Sequence, residues 1–188
     1  MSRESVEQLI DRIIEFWNKE QRSPLNLYLM GGAAVLMQFG GALTTKDVDV
    51  SVTSTERDQL EQALGDFMCG GSKVSSNGVY LDLIGDSFPP MPWLFRERST
   101  LDREVALVKI WRLHPVDMVL SKIRRFSAKD RRDIETVIEN CSEDMSANEL
   151  RRVFSEEQFY FEPDLEERSL PRLERIIAFL NGSVDTLD

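Results

Sequence analysis

Apolar residues along the chain repeat with two different periods, which predict helices and strands in succession. In residues 3–20 they recur every three to four positions, which is typical of an amphipathic helix. Residues 25–30 form a short apolar run that predicts a buried strand, and Gly31 and Gly32 then open a helix. Residues 46–53 alternate strictly between valines and polar side chains, so we expect a strand with one buried face.

The pattern changes from strand-rich to helical near residue 114. Residues 79–84 and 105–113 predict two further strands, and residues 86–104 between them predict a loop or flap. Beyond them the apolar period is helical. This order predicts a mixed α/β, or α+β, fold in which a small mixed sheet is flanked by helices and followed by a C-terminal helical part.

Two helix starts in the second half of the chain carry capping residues. His114 stands before a proline at the first helical position, where capping or packing is its expected role. Ser127 is followed three residues later by Asp130, which is the spacing of a capping box. We therefore place a core with its leading helix at residues 1–113 and a helical region packed on it at 114–188.

The composition excludes several classes of protein. Hydrophobic residues make up 41% and charged residues 30% of the chain, which excludes disorder. The 33 acidic residues outnumber the 23 basic ones, and a net charge of -10 is unsuited to coating DNA non-specifically. No apolar run reaches the about 20 residues of a membrane span, and the charged N-terminus lacks a signal-peptide core. With only Cys69 and Cys141, which cannot form a disulfide framework, we expect a cytoplasmic protein.

Three aspartates fall on predicted strands. Asp47 and Asp49 are two residues apart, so on a strand they project from one face about 6.5–7 Å apart. Two carboxylates so placed repel each other unless a cation lies between them, and Mg²⁺ takes oxygen ligands of this kind. Asp82, on a later strand, could complete a site for two ions that clamp the attacking and leaving oxygens of a phosphoryl transfer.

The glycine pair supplies a second element of the same site. Gly31 and Gly32 allow the backbone to approach a ligand closely, and the helix start offers free N–H groups and a positive dipole end. Taken alone, a DxD pair, a glycine pair or a strand aspartate is an ordinary feature of a chain this acidic. Their order and their strand-to-helix context make the combination specific. An EF-hand is excluded because Val52 stands where that loop requires glycine, and no P-loop or Rossmann glycine motif is present.

The segments GGAAVLMQFGGALTTKDVDV and VYLDLI resemble the nucleotidyltransferase superfamily of the DNA polymerase β type, whose signature is hG[GS], then DhDh, then hDh. The continuation PVDMVLSKIRRFSAKDRRDIETVI resembles minimal prokaryotic members, including toxins of the AbiEii type. The resemblance covers about residues 25–140 and is most specific in its first motif. It departs from the toxins at Ala33 and Ala34, where a serine or threonine is usual, and its crossover to the acidic strand is slightly long.

The resemblance implies transfer of a nucleoside monophosphate from an NTP, such as ATP, to an acceptor hydroxyl, with Mg²⁺ (or Mn²⁺) and release of pyrophosphate. The acceptor implied is tRNA or a protein, and a toxin would have a cognate antitoxin as partner. No membrane partner is implied. By motif match, the metal ligands and catalytic residues are Asp47, Asp49 and Asp82. The nucleotide-binding residues are Gly31, Gly32 and Lys122, and the accessory acids are Asp133 and Asp130.

Residues 122–132 carry six basic side chains against one acidic one, a local reversal of the charge of the chain. They could grip NTP phosphates or an RNA acceptor, or they could form a solvated helical face with ion pairs. Asp133 could pair with Lys129 four residues earlier. In the segment 86–104, Trp93 and Phe95 lie beside arginines, where they could stack on a base or bind an acceptor, or else pack in the core or form a partner surface. Trp111 is expected in the core.

Two functions of different class follow from these patterns. The first is a metal-dependent nucleotidyltransferase, in a narrower version the toxin of a toxin–antitoxin system. The second is a catalytically idle nucleotide-binding or protein-interaction module on the same fold. The complete set of three aspartates favours the enzyme, because a decayed site would be free to lose one.

Overall fold

The computed structural model describes residues 2–19, 23–40, 47–64, 80–84, 91–92, 94–156 and 163–187. Contacts divide the chain into two units. The first comprises Met1–Pro89 and Ser99–Leu113, and the second comprises Pro90–Arg98 and His114–Asp188. Residues 90–98, which the sequence pattern placed with the core, therefore belong with the helical unit.

The first unit is a mixed sheet with helices. Its elements in chain order are α1 (Arg3–Lys19), β1 (Leu25–Leu29), α2 (Gly31–Phe39), β2 (Asp47–Ser51), α3 (Ser54–Leu64), β3 (Tyr80–Ile84), β4 (Thr100–Val105) and β5 (Val108–Arg112). The described strands form one five-stranded sheet in the order β3-β2-β1-β5-β4. The β3–β2 and β1–β5 pairs are parallel, and the β2–β1 and β5–β4 pairs are antiparallel. The predicted mixed α+β fold is confirmed.

Strict alternation along the inner strands puts their apolar side chains on one face of the sheet. In β1 and β2 leucine and valine hold the buried positions of this face, and the side chains between them are half-buried except Ser51 at the end of β2, which is buried. The helix α1, which packs against α2 and β5, buries the apolar stripe that its sequence predicted. The core of this unit is formed by Val6, Ile10, Ile13, Trp17, Leu25, Leu27, Val48, Val50, Leu60, Leu81, Val108 and Ile110, each no more than 2% exposed.

The sequence pattern missed the strand β4. Residues 86–104 were expected to form a loop or flap, but Thr100–Val105 pairs antiparallel with β5. This strand lies at the edge of the sheet and is exposed along most of its length, so it has no apolar face that could produce an alternating pattern. Its ladder is also irregular between Leu101 and Arg103.

The second unit is helical. Its elements are the short α4 (Phe95–Arg98), α5 (Pro115–Ile123), α6 (Ala128–Cys141), a 3₁₀ turn (Ser142–Asp144), α7 (Ala147–Glu156) and α8 (Pro163–Leu180). The helix α5 packs against α6, α7 and α8. No described helix combines the length and apolar character that a membrane span needs.

The predicted caps of α5 and α6 are confirmed. His114 accepts a hydrogen bond from the Val116 N–H through Nδ1 (3.4 Å). Ser127 and Asp130 form the full capping box, in which each side chain binds the backbone N–H of the other. The spacing of Thr55 and Asp58 also predicts a capping box at the start of α3, but the cap lies two residues earlier. Thr53 and Glu56 form it, with the Thr53 N–H donating to Glu56 Oε2 at 2.7 Å.

Candidate active site

Asp49 and Asp82 lie directly opposite each other in the parallel ladder of β2 and β3. Neighbouring strands are about 4.8 Å apart, and residues in register point to the same face, so the two carboxylates are adjacent across the strands. Asp47 lies two residues before Asp49, opposite Tyr80, and shares this face. All three aspartates are half-buried. The sheet register thus brings together the three side chains that the motifs singled out.

The opposite face of the same two strands explains this orientation. Val48, Val50, Leu81 and Leu83 are at most 3% exposed. A slip of one residue in either strand would bury the aspartates and expose these apolar groups, so hydrophobic burial fixes the register. The carboxylates face outward because the intervening side chains face the core.

The start of α2 lies beside Asp49. The Met30 N–H, between the end of β1 and the helix, donates to the Asp49 carbonyl oxygen at 2.9 Å. Gly31, the first residue of α2, has a φ of +59°. The Asp49 carboxylate lies against Gly31, in the space that a β-carbon there would need. Gly32 is the second residue of the helix, and the first turn of α2 carries no acidic side chain.

The three aspartates offer the donor set that a hard divalent cation takes. Carboxylate oxygens are the preferred ligands of Mg²⁺, which also keeps open positions for phosphate oxygens. The positions of the three residues on one sheet face fit such an ion. Within the described ranges, however, no three Asp, Glu, His or Cys side chains already lie close enough together to hold a metal. A bound ion would therefore have to bring at least one of the three carboxylates closer to the other two.

Two aromatic residues extend this face beyond the aspartates. Tyr28 lies opposite Ser51 in β2 and opposite Trp111 in β5, so all three share the face of the carboxylates. The Tyr28 and Trp111 rings stack with centroids 5.8 Å apart and planes 12° apart. Trp111 Nε1 donates to Asn26 Oδ1 at 2.9 Å.

Tyr28 is also a diagonal neighbour of Asp49, at about 7–8 Å, because the ladder places Met30 opposite Asp49. No sequence motif points to Tyr28, and Trp111, which is expected in the core, is half-buried on the polar face. The alternation of Leu25, Leu27 and Leu29 was the signal that could have assigned Tyr28 to this face.

A cation of α3, Arg57, feels the charge of Asp82. The pKa of Arg57 is raised, chiefly by its hydrogen bond to Glu61 (2.6 Å) and by the charge of that residue. Asp58 and Asp82 raise it further through their charges. Arg57 is therefore within electrostatic range of one of the three aspartates.

The residues predicted from the helical continuation lie in the second unit. Lys122 is 5% exposed, and its Nζ donates to Asp133 Oδ2 at 2.6 Å. Asp133 thus pairs with Lys122 rather than with Lys129, the partner that helical spacing suggested. Asp130 caps α6 and accepts from Arg125 Nη2 at 2.6 Å. The nucleotide-binding role of Lys122 and the accessory roles of Asp133 and Asp130 stay predictions.

The aromatic and basic residues of the segment 86–104 have structural partners where they are described. Phe95 is 3% exposed, so it packs in the core of the second unit. Arg98 forms an ion pair with Asp117 in α5, and Arg103 forms one with Asp11 in α1. Trp93, named as a stacking candidate, and Cys69 lie outside the described residues.

Comparisons with known proteins agree with this fold. The chain is similar to an antigenic nucleotidyltransferase-like protein from Paracoccidioides brasiliensis, whose crystal structure matches with a TM-score of 0.53. The two are 19% identical, and the match covers 90% of this chain and 94% of the other. No curated protein sequence matches the chain.

The model of one protein family matches residues 6–181, nearly the whole chain. That range includes the glycine pair, all three aspartates and the helices that follow the sheet. The chain therefore belongs to the family DUF6036, described as nucleotidyltransferase of unknown function.

Proposed function

We propose that this protein transfers a nucleoside monophosphate from an NTP to an acceptor hydroxyl with the help of Mg²⁺, in the manner of the DNA polymerase β superfamily. The observation that carries the proposal is the register of Asp49 with Asp82, on the face that also holds Asp47 and beside the glycine start of α2. Mn²⁺ has the same preference for oxygen ligands and is expected to substitute.

Each residue has a defined task in this reaction. Asp47, Asp49 and Asp82 would hold the metal, which supplies positive charge against the oxygens of the transferred and leaving phosphates. The acceptor oxygen forms a bond to the α-phosphorus while the bond from that phosphorus to the bridging oxygen of the β-phosphate breaks, and pyrophosphate leaves. Asp82 would take the proton of the acceptor hydroxyl. The N–H groups at the start of α2, at Gly31 and Gly32, would bind the phosphates.

A basic segment around the turn between α5 and α6 favours a polyanion such as tRNA as the acceptor. Residues 122–133 carry six basic and two acidic side chains. Both acids are buried and engaged, Asp130 with Arg125 and Asp133 with Lys122, while Lys129 and Arg132 are exposed. A protein side chain is the other acceptor class that remains compatible with a hydroxyl nucleophile.

Transfer of label tests the activity directly. The purified chain is incubated with each α-labelled NTP, Mg²⁺ and total cellular RNA or protein. We expect label on one macromolecular fraction, loss of transfer with EDTA, and recovery with Mn²⁺. The Asp49→Asn variant should bind no productive metal and transfer nothing, while its folded structure persists. Transfer by that variant at the wild-type rate would contradict the assignment.

Further outcomes distinguish the idle module and the toxin from a transferase that does not affect growth. Tight NTP binding by the wild type without any transfer would indicate the idle nucleotide-binding or interaction module instead. Growth arrest on expression, abolished by Asp49→Asn and relieved by a neighbouring gene product, would support a toxin with an antitoxin partner. Growth unaffected by an active enzyme would remove the toxin role and leave the transferase.

A further inference from the structure

The Asp49 carboxylate occupies the space that a side chain at Gly31 would need. A β-carbon built at Gly31 would collide with Asp49 Oδ2 and stand 3.1 Å from Asp49 Cγ and 3.5 Å from its Cβ. The contact with Oδ2 is far shorter than a van der Waals contact and the one with Cγ is tight, so any other residue at position 31 would displace the carboxylate. The three atoms nearest to such a β-carbon all belong to the Asp49 side chain.

The backbone of Asp49 cannot move away to relieve such a collision. On one side it is fixed by the parallel ladder to Asp82 in β3, and on the other by the hydrogen bond from the Met30 N–H to its carbonyl oxygen (2.9 Å). Val48 and Val50, fully buried on either side in the chain, prevent the strand from rotating. Only the side chain of Asp49 can yield, by turning about its Cα–Cβ bond.

The helix end gives the carboxylate a favourable position. The first residues of a helix carry unsatisfied N–H groups and the positive end of the helix dipole, which favour an anion. Met30, the residue before α2, makes no side-chain capping bond, and the first turn of α2 contains no acidic residue. Asp49 supplies from the neighbouring strand the negative charge that the helix does not supply itself.

We infer that Gly31 is a positioning residue whose main task is to hold Asp49 in its metal-binding orientation, in addition to any approach of phosphate to the backbone. This inference rests on the proposed function for the use of Asp49. The two roles of Gly31 differ in what its replacement would change. If Gly31 serves phosphate binding, replacing it weakens nucleotide binding. If it serves Asp49, replacing it weakens the metal site before any nucleotide arrives.

The other end of the same helix offers a matched control. Gly40 also has a left-handed φ, +65° against +59° at Gly31, so alanine is strained at both positions. Among the residues that the structure describes, nothing lies within 4 Å of a β-carbon at Gly40. Comparing Gly31→Ala with Gly40→Ala in the full chain therefore separates the collision with Asp49 from backbone strain.

The first measurement is Mn²⁺ binding to the nucleotide-free protein, followed by electron paramagnetic resonance of the free ion. We expect Gly31→Ala to weaken binding at least about tenfold and Gly40→Ala to stay within about twofold of the wild type. Equal affinities of Gly31→Ala and the wild type, or an equal loss in both variants, would overturn the inference.

The second measurement is the denaturation midpoint of Gly31→Ala, Asp49→Ala and the double variant. If the collision is the cause, removing the Asp49 carboxylate relieves it, and the double variant is more stable than the sum of the two single losses predicts. Strictly additive losses would show that Gly31 and Asp49 are not coupled and would overturn the inference.

This second result does not depend on catalysis. If the wild type binds no Mn²⁺ at all, the proposed function fails, while the stability cycle still decides whether Gly31 accommodates Asp49. If Mn²⁺ binds and only the cycle is additive, the proposed function stands and the role of Gly31 is wrong.

Discussion

The Lys122 ammonium and the Asp133 carboxylate form an ion pair of 2.6 Å in which the side chains are 5% and 3% exposed. The pair joins α5 to α6 inside the second unit. Charges buried to this degree are stable only while both partners are present. The pair therefore gives Lys122 a structural role, whereas the family resemblance implies that Lys122 contacts the triphosphate.

Replacing Lys122 by methionine distinguishes these tasks. We expect Lys122→Met to lower the free energy of unfolding by about 3–5 kcal/mol, because Asp133 is left buried without its partner. The double variant Lys122→Met/Asp133→Leu should recover most of that loss, since two apolar groups restore a neutral interior. Urea denaturation followed by circular dichroism measures both.

A role in nucleotide binding would give a different pattern. If Lys122 grips the triphosphate, the double variant would regain stability and yet keep a raised KM for the NTP. A double variant with wild-type stability and a wild-type KM would show that the pair serves the fold alone.

Asp82 is expected to be required for transfer but not for folding. The Asp82→Asn change removes one negative charge and one proton acceptor from a half-buried position, so we expect the rate of transfer to fall by a factor of about 10²–10³ or more. Asp102→Asn is the control, because Asp102 is an exposed aspartate of the same unit that pairs with Arg112 at 3.1 Å. An equal loss of activity in both variants would reject the catalytic role of Asp82.

The ion pair of Arg98 with Asp117 should stabilise the second unit. Asp117 is fully buried and accepts three hydrogen bonds from the Arg98 guanidinium, at 2.6, 3.0 and 3.2 Å. This bidentate contact ties the residues of α4 to α5.

We expect Arg98→Met to cost about 3–5 kcal/mol of unfolding free energy, because it removes one partner of a buried ion pair and three hydrogen bonds to a buried carboxylate. Arg151→Met is the matched control, since its pair with Glu174 is half exposed on both sides and should make no resolvable difference. Thermal denaturation of the two variants side by side gives the comparison. Equal midpoints would show that the buried pair has no net stabilising effect.

The cap of α6 should make stability depend on acid. Burial opposes ionisation of Asp130, but hydrogen bonds from Arg125 and Ser127 prevail and lower its pKa from 3.8 to about 2. The carboxylate is charged in the folded protein at a pH where the unfolded chain already binds a proton. Its contribution is therefore complete above about pH 4 and is lost as the pH falls through about 2.

An Asp130→Asn variant tests this dependence. We expect it to be less stable than the wild type by about 1 kcal/mol at neutral pH, the usual scale of a capping interaction. The difference between the two proteins should shrink between pH 4 and pH 2. A difference that stays constant over this range would show that the ionised form of Asp130 does not stabilise the helix.

Most helices and strands were predicted from local sequence patterns, because the period of apolar residues in one segment reflects which of its faces is buried. The alternation around Val48 and Val50 and the helical stripe of α1 are visible in the sequence, since each has one face in the core. The edge strand β4 was not predicted, because a strand exposed on most positions leaves no periodic signal. The three-residue spacing found the cap of α6, Ser127 with Asp130, but at α3 it pointed to Thr55 and Asp58 instead of Thr53 and Glu56.

The sequence by itself determined which face of its strands would carry Asp47, Asp49 and Asp82, because alternation with buried valines and leucines leaves the polar residues only one side. It could not determine that Asp49 stands opposite Asp82, that the Asp49 carboxylate fills the space beside Gly31, or that Lys122 meets Asp133. These relationships join residues 11 to 33 positions apart in the chain, and only the packing of whole strands and helices brings such residues into contact.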